Sequence, residues 1–157
     1  MIKIGHGYDV HRFGYGNKLM LGCTEIQFDK GLTAHSDGDV VCHALCDSLL
    51  GASGNKDIGN LFPDTDDKYK GVSGKYLLGE VFKVISEQGY RLCCADITVI
   101  AEFPKLSGYI DLMRKNISEA LNTEYENINV KATTEEGLGI AGNGIACHAV
   151  CLLEKVK

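Results

Sequence analysis

The first residues that could do chemistry are an aspartate and a histidine two positions apart. Asp9 and His11 end an apolar run with strand character, and alternation along a strand puts both on one face. A carboxylate and an imidazole on one face can bind the same cation. His43, on a predicted helix, would give two nitrogens and one oxygen with an open fourth position, as in catalytic zinc sites. Spacing alone equally allows His11 and His43 to be separate polar residues on unrelated surfaces.

The helix that carries His43 has its own polar neighbours. Ser36 or Asp37 is predicted to cap it, and its apolar residues recur at helical spacing as far as about Leu50. Asp47 lies one turn after His43 on the same face. We therefore expect the Asp47 carboxylate to accept a hydrogen bond from the His43 imidazole and orient it.

A second polar group follows a strand-like run late in the chain. Thr133 and Glu136 have the spacing of a capping box at the start of a helix or turn. Unpaired N–H groups and hydroxyls at such a point can hold a phosphate, and the Glu136 carboxylate could bind a divalent cation shared with it. Taken by itself, the spacing favours a plain cap with a solvated glutamate pair over a phosphate or metal site.

A third feature is the long acidic segment from Asp57 to Asp67, which carries Leu-Phe-Pro in its middle. Segments of this length and composition are either mobile lids or solvated surface. Composition does not distinguish the two.

The elements that must position these groups follow from apolar spacing. We predict strands over 2–8, 18–27, 95–101, 127–132 and 145–153, and helices up to 50, over 73–88 and over 106–122. This pattern predicts one α+β domain spanning residues 1–157, a two-layer sandwich of a mixed sheet with helices on one face.

Composition excludes several classes of protein. The 157 residues carry 16 Lys and Arg against 21 Asp and Glu, a net charge of −5, which argues against nucleic-acid binding. A mean hydropathy of −0.05 and the absence of long apolar runs argue against a membrane protein. A phosphorylated ligand remains compatible, provided that cations offset the acidic charge.

The cysteines are interpreted as core residues. There are seven, an odd number, with no Cys-x-x-Cys pair. The first residues are expected to form a strand rather than a signal peptide. We expect reduced thiols, mostly buried, in a reducing compartment, with no metal role predicted from their spacing.

Six motifs in order identify a family resemblance. They are Gly5–His11 (GHGYDVH), Ala34–Asp39 (AHSDGD), His43–Leu45 (HAL), Asp57–Gly59 (DIG), Phe62–Asp66 (FPDTD) and Val130–Thr134 (VKATT). Together they resemble the 2-C-methyl-D-erythritol 2,4-cyclodiphosphate synthases of the non-mevalonate isoprenoid pathway, over essentially the whole chain and in their stand-alone form. The resemblance implies a metal-dependent lyase that cyclises 4-diphosphocytidyl-2-C-methyl-D-erythritol 2-phosphate and releases CMP.

The resemblance also implies an assembly and its metals. It implies a homotrimer with sheets packed toward its axis and active sites between subunits. Asp9, His11 and His43 match the ligands of one zinc ion per subunit, and Glu136 matches the ligand of Mg²⁺ or Mn²⁺. His35 and Thr134 match the pair that stabilises the transition state.

The remaining matched positions are substrate contacts. Asp57 and Gly59 match the ribose contacts, and the cytosine and phosphate contacts fall on 101–107 and 132–134. The full set implied to bind substrate is Ser36, Asp57, Ile58, Gly59, Phe62, Pro63, Asp64, Thr65, Asp66, Ala101, Pro104, Lys105, Leu106, Ser107, Ala132, Thr133 and Thr134.

Two segments depart from the family pattern. Before the last strand, relatives carry an Arg and a Glu at the mouth of an axial cavity proposed to bind isoprenoid diphosphates. Here the segment is two residues shorter, with Ile140 as a candidate apolar wall and Asn143 in place of a cation. We therefore expect weak or absent isoprenoid-diphosphate binding. The other departure is 71–74, where relatives commonly read Ala-Asp-Ser.

Two other functions fit the same residues. A zinc phosphohydrolase would attack with metal-bound water and release inorganic phosphate. A trimeric nucleotide-binding module without catalysis would need neither His35 nor an open metal position. For localisation we expect the cytoplasm for a bacterial chain, and an organelle only where a transit segment has been removed.

Overall fold

The computed structural model describes residues 1–156 of the chain. Seven strands and four helices are found in this part. They are β1 (Ile2–Gly14), β2 (Leu19–Leu21), β3 (Thr24–Ile26), β4 (Gly31–Leu32), α1 (Val40–Ser53), α2 (Ile58–Leu61), α3 (Gly74–Glu87), β5 (Tyr90–Ile100), α4 (Ile110–Ala120), β6 (Ile128–Thr133) and β7 (Gly144–Lys155).

Five of the strands form one mixed sheet in the order β4-β1-β7-β5-β6. Neighbours run antiparallel except β5 and β6, which are parallel and joined through α4. The predicted α+β class and mixed sheet are confirmed. Burial alternates along β1, and apolar side chains on the face away from α1 stay exposed, namely Ile2, Ile4, Tyr8 and Val10, with Val150 on β7. We call this surface the bare sheet face.

Two glycines set how closely α1 packs on β1. A Cβ at Gly5 would overlap the carbonyl oxygen of Ser48, and a Cβ at Gly7 would overlap that of Ala44. The helix backbone therefore lies directly on the strand, and almost every α1 side chain is buried.

The ends of α1 differ in part from prediction. The cap is Asp39, whose side chain accepts a hydrogen bond from the backbone N–H of Cys42, so the caps predicted at Ser36 and Asp37 are wrong. Asp37 instead accepts hydrogen bonds from the backbone N–H groups of Asp39 and Gly74. The helix ends at Gly54, whose φ of 81° is a conformation typical of glycine.

Other element boundaries were also misplaced. The first strand continues through His11 to Gly14, so Asp9 and His11 lie inside β1 rather than at its end. The strand predicted over 18–27 is the hairpin β2–β3. The segment predicted as a plain loop contains α2, and the third long helix begins at Ile110, not 106.

The start of α3, which lies in the departing segment 71–74, is a regular capped helix N-terminus. Ser73 caps the helix by accepting a hydrogen bond from the N–H of Tyr76. Across the described residues, the helices are too short or too polar for any of them to cross a membrane.

Candidate active site

Asp9, His11 and His43 come together between β1 and α1. The Asp9 Oδ2 atom lies 2.8 Å from His11 Nε2 and 3.0 Å from His43 Nδ1, and the two imidazole nitrogens are 3.1 Å apart. Alternation turns Asp9 and His11 toward the helix, and the close packing of α1 brings His43 to them. We call these three residues the triad.

The triad fits a divalent metal ion. Ligands at ~2.0–2.1 Å from a tetrahedral ion are about 3.3 Å apart, so the three donor atoms need only a small expansion around one centre. Two imidazoles and one carboxylate suit zinc and similar borderline cations.

The charges within the triad support one another. Burial alone would raise the pKa of Asp9, but hydrogen bonds from His11 and His43 and attraction to their positive charges hold it well below its usual range. For His43, burial acts to lower the pKa, and the hydrogen bond and negative charge of Asp9 outweigh it, so the pKa is raised. Without a metal, the carboxylate therefore favours a proton on His43.

The outer nitrogen of His43 has a partner that the sequence did not predict. His43 Nε2 lies 2.9 Å from the hydroxyl of Ser36, which leaves Nδ1 for the triad. The prediction that Asp47 is this partner is wrong. The Asp47 carboxylate accepts a hydrogen bond of 2.7 Å from the backbone N–H of Ile58 and so ties α2 to α1, while burial raises its pKa.

The triad opens into a cavity of about 370 Å³, called here the triad cavity. Six of the other residues predicted to bind or act on substrate line it, namely His35, Ser36, Ile58, Gly59, Phe62 and Asp64. The His35 Nε2 atom is buried and has no hydrogen-bond partner among the described residues, as expected of a group that awaits a ligand.

Four further predicted contacts do not line the triad cavity. Asp57 caps α2 and Asp66 caps the short 3-10 turn Asp67–Tyr69, each through its carboxylate. Pro63 and Thr65 lie in the same segment, outside the cavity wall.

The predicted cytidine contacts line a different cavity of about 540 Å³. We call it the threonine cavity. All eight predicted residues from 101–107 and 132–134 line it, namely Ala101, Pro104, Lys105, Leu106, Ser107, Ala132, Thr133 and Thr134. Glu102, within the predicted segment 101–107 but not among the predicted contacts, accepts hydrogen bonds from the backbone N–H groups of Glu135 and Gly137 and holds the loop after β6.

The capping box predicted at Thr133 is wrong. An exposed loop follows β6 instead of a helix, and Glu136 has a φ of 53°. The Thr134 hydroxyl donates to Glu136 Oε1 over 3.0 Å, so these two polar groups are adjacent at the rim of the threonine cavity.

Register shows how far apart the two cavities lie. Asp9 pairs with Cys147, Cys147 with Val99, and Val99 with Ala132. Three inter-strand spacings separate Asp9 from Ala132, or about 14 Å. The two cavities share no lining residue among those described, and His35 and Thr134 line different ones.

The departure before the last strand borders a third cavity of about 730 Å³. Ile140 and Asn143 line it, as do Arg12 and Lys30. Arg12 and Lys30 bring positive charge to the wall of this cavity, whereas Asn143 brings none. Weak or absent isoprenoid-diphosphate binding stays a prediction.

Comparison with known proteins identifies the family. The YgbB family model matches residues 2–154. The 2-C-methyl-D-erythritol 2,4-cyclodiphosphate synthase of Vibrio vulnificus is 54% identical over 157 residues, covering 99% of each chain. That of Aliivibrio fischeri is 52% identical over 158 residues, covering 99% of this chain and all of the other.

Comparison with solved structures gives matches to the same group of proteins. The bifunctional IspDF of Campylobacter jejuni matches with a TM-score of 0.96 and 42% identity; the match covers all of this chain, which spans 43% of that protein. The CDP complex of IspF from Plasmodium falciparum matches with a TM-score of 0.86 and 37% identity, covering 99% of this chain and 97% of the other. With its motifs, fold and near-complete sequence match in agreement, the chain belongs to the YgbB family.

Proposed function

We propose that the chain cyclises 4-diphosphocytidyl-2-C-methyl-D-erythritol 2-phosphate to 2-C-methyl-D-erythritol 2,4-cyclodiphosphate and releases CMP. The observation that carries this is the triad, which opens into a cavity with a buried, unpartnered His35 nitrogen. The names of the full-length relatives support the same reaction, and the complex of the Plasmodium falciparum structure holds CDP.

The reaction needs positioning more than a protein nucleophile. An oxygen of the substrate's 2-phosphate forms a bond to the β-phosphorus, and the bond from that phosphorus to the oxygen shared with the α-phosphate breaks, so that CMP leaves. The attacking group is already an anion, hence no strong base is required. Bringing the two ends of the substrate together can contribute ~7–11 kcal/mol.

The triad would hold Zn²⁺, and Glu136 would hold Mg²⁺ or Mn²⁺ on the diphosphate. When bound, these cations neutralise phosphate charge and polarise the phosphorus–oxygen bonds. Support comes from the donor set of the triad and from the exposed Glu136 carboxylate beside Thr134. A cation at the triad and another at Glu136 would let an acidic domain accept a substrate with several negative charges.

The other residues would bind and orient. His35 and Thr134 would donate hydrogen bonds to the transferring phosphate, where negative charge increases in the transition state. Asp57 and Gly59 would contact the ribose, and Phe62 to Asp66 would enclose the methylerythritol part. The backbone from Ala101 to Ser107 would receive the cytosine, with Ala132 and Thr133 beside the phosphates.

A complete site would need two chains. Asp9 and Ala132 lie about 14 Å apart in one chain, which is farther than a diphosphate group extends, and Ala132 is in the strand that leads to Glu136. This separation favours a site that takes the triad from one chain and Glu136 from another. We infer a homotrimer in which the triad cavity of one subunit faces the threonine cavity of the next. The bare sheet face, with its exposed apolar side chains, would pack around the three-fold axis.

Phosphorus NMR tests the reaction directly. Purified protein with Zn²⁺ and Mg²⁺ is incubated with 4-diphosphocytidyl-2-C-methyl-D-erythritol 2-phosphate. Cyclic diphosphate appearing in step with CMP, and stopped by chelation, is the expected result. Inorganic phosphate would indicate a hydrolase, and an unchanged spectrum from folded, metal-loaded protein would indicate a binding module.

A further inference from the structure

A second group of possible metal ligands lies outside the triad cavity. The cluster consists of Cys23 in the turn between β2 and β3, Asp39 at the cap of α1, and Cys42 in the first turn of that helix. Their ligand atoms all lie within 4.8 Å of one another. The two sulfurs are 3.3 Å apart, and Cys42 Sγ is 3.2 Å from Asp39 Oδ2. We call this group the cysteine cluster.

The backbone does not explain why residue 23 is a cysteine. Gly22 and Cys23 have φ values of 58° and 59°, so both central residues of this two-residue hairpin turn are left-handed. Turns of this kind favour glycine, asparagine or aspartate because other side chains are strained there. A strained residue that persists points to a use for its side chain.

Asp39 is held in a fixed orientation by the same turn. It is fully buried, and its Oδ1 accepts hydrogen bonds from the N–H groups of Gly22 and Cys42, at 2.8 and 3.0 Å. Its Oδ2 accepts from the N–H of Cys23 over 2.7 Å. Carboxylates that bind metals are commonly oriented by such hydrogen bonds while a lone pair stays available.

We propose that the cysteine cluster binds a thiophilic divalent cation, with Zn²⁺ the expected ion, as a metal site separate from the triad. Each thiol would release its proton to solvent as its sulfur bonds the metal, with no change of oxidation state. Two sulfurs at ~2.3 Å from a tetrahedral ion are about 3.8 Å apart, so the pair would open by about half an ångström. Half-buried Cys23 provides the entry side, where water takes the fourth position.

Such an ion would link the β2–β3 hairpin to the start of α1. Cys42 directly precedes His43, but consecutive helix residues point about 100° apart, so the two sites use different sides of the helix. A metal that binds only the folded chain stabilises the folded state. We therefore expect added Zn²⁺ to raise the melting temperature by more than binding at the triad alone would.

Cobalt distinguishes the two sites. Metal-free full-length protein, kept reduced with a phosphine, is titrated with Co²⁺ and followed by absorption and metal analysis. The triad offers only nitrogen and oxygen, whereas thiolates add an intense sulfur-to-cobalt charge-transfer band. We expect a second equivalent of Co²⁺ per chain, accompanied by that band.

Variants assign the band to its residues. Cys23→Gly removes the sulfur and relieves the left-handed strain, so the metal-free variant should keep its melting temperature while it loses the band and one equivalent. Cys94→Ser, at an exposed thiol on β5, is the control and should retain both. A single equivalent without the band in the parent protein, or a band that Cys23→Gly leaves intact, would overturn the proposal.

Discussion

The triad cavity and the threonine cavity are built in opposite ways. The first is formed by charged side chains on β1 and α1, where hydrogen bonding and mutual attraction outweigh burial, lowering the pKa of Asp9 and raising that of His43. The second is formed by loop backbone, small residues and hydroxyls at an exposed strand end. One is organised around a concentrated charge, and the other offers hydrogen bonds over an extended surface.

This difference indicates that the two cavities have separate functions in the proposed site, metal binding in one and nucleotide binding in the other. Metal ligands must meet at one point to within a fraction of an ångström, so they need rigid elements. A nucleotide is larger and flexible, and backbone groups near a strand end can bind it without such convergence. The following variants test whether each cavity does only its own part.

Loss of the triad should have the largest effect. His43→Ala should lose the triad metal and lower turnover by about 10³-fold or more, because a bound cation supplies several kcal/mol of charge stabilisation. The trimer and the binding of CMP should persist. Metal analysis, turnover and sedimentation measure these quantities, with Lys75→Ala on the exposed side of α3 as control. If His43→Ala bound as many metal equivalents as the parent protein, the triad would not be the ligand set.

Mixing two inactive chains should restore activity if each site takes one cavity from each of two subunits. One chain carries His43→Ala, and the other carries Thr134→Ala with Glu136→Ala. Random 1:1 trimers would have an intact site at about one quarter of positions, so activity should return to roughly a quarter of the parent value.

The single-chain alternative predicts a different result. If both cavities of one chain formed a site, no mixture would contain an intact one, and activity would stay at the level of the separate variants. Sedimentation of the mixture must show exchange of subunits for either result to count.

Removing the hydroxyl beside His43 should have a smaller effect. Ser36→Ala should weaken triad metal affinity by about 10- to 100-fold, since the hydrogen bond to Nε2 orients the imidazole. Affinity measured without substrate isolates this from any contact of Ser36 with substrate. Ser36→Thr keeps the hydroxyl and should stay near the parent affinity; equal weakening in both variants would contradict the assignment.

The smallest expected effect is a pH dependence. As pH rises, the stability of the metal-free chain should fall and the affinity of the triad for metal should increase. Because the pKa of His43 is raised in the folded, metal-free chain, its protonated form stabilises that chain below its ordinary value of 6.5, and this contribution is lost as pH rises through the raised pKa. Metal binding needs the neutral imidazole and should strengthen over the same range.

Urea unfolding of metal-free protein between about pH 6 and pH 8 measures the first effect. His43→Gln serves as the reference, because it lacks the titrating group. A difference in unfolding free energy that grows toward high pH would contradict the prediction.

The sequence predicted chemistry better than local geometry. Alternation was enough to pair Asp9 with His11, and helical spacing identified the helix of His43, because both depend on short-range periodicity. The expected partner of His43 was Asp47, which lies one turn away. Its actual partner is Ser36, because the loop before α1 folds back onto the imidazole.

Tertiary context explains the other misses. Thr133 and Glu136 have the spacing of a cap, but no helix follows, since the chain instead folds back over Glu102. Nothing in the spacing shows that Arg12 and Lys30 share a cavity with Asn143. The separation of the two cavities requires strand order, which hydrophobic patterning does not encode.

The glycines of β1 that lie against α1 have a consequence for how such chains are compared. Gly5 and Gly7 contribute no ligand, yet any side chain there would displace α1 and with it the imidazole of His43. A relative that kept Asp, His and His but carried alanine at these two positions would pass a search for ligands and still be unable to assemble the site. Assignment of a chain to this family should therefore require glycine at positions 5 and 7 as strictly as the three metal ligands.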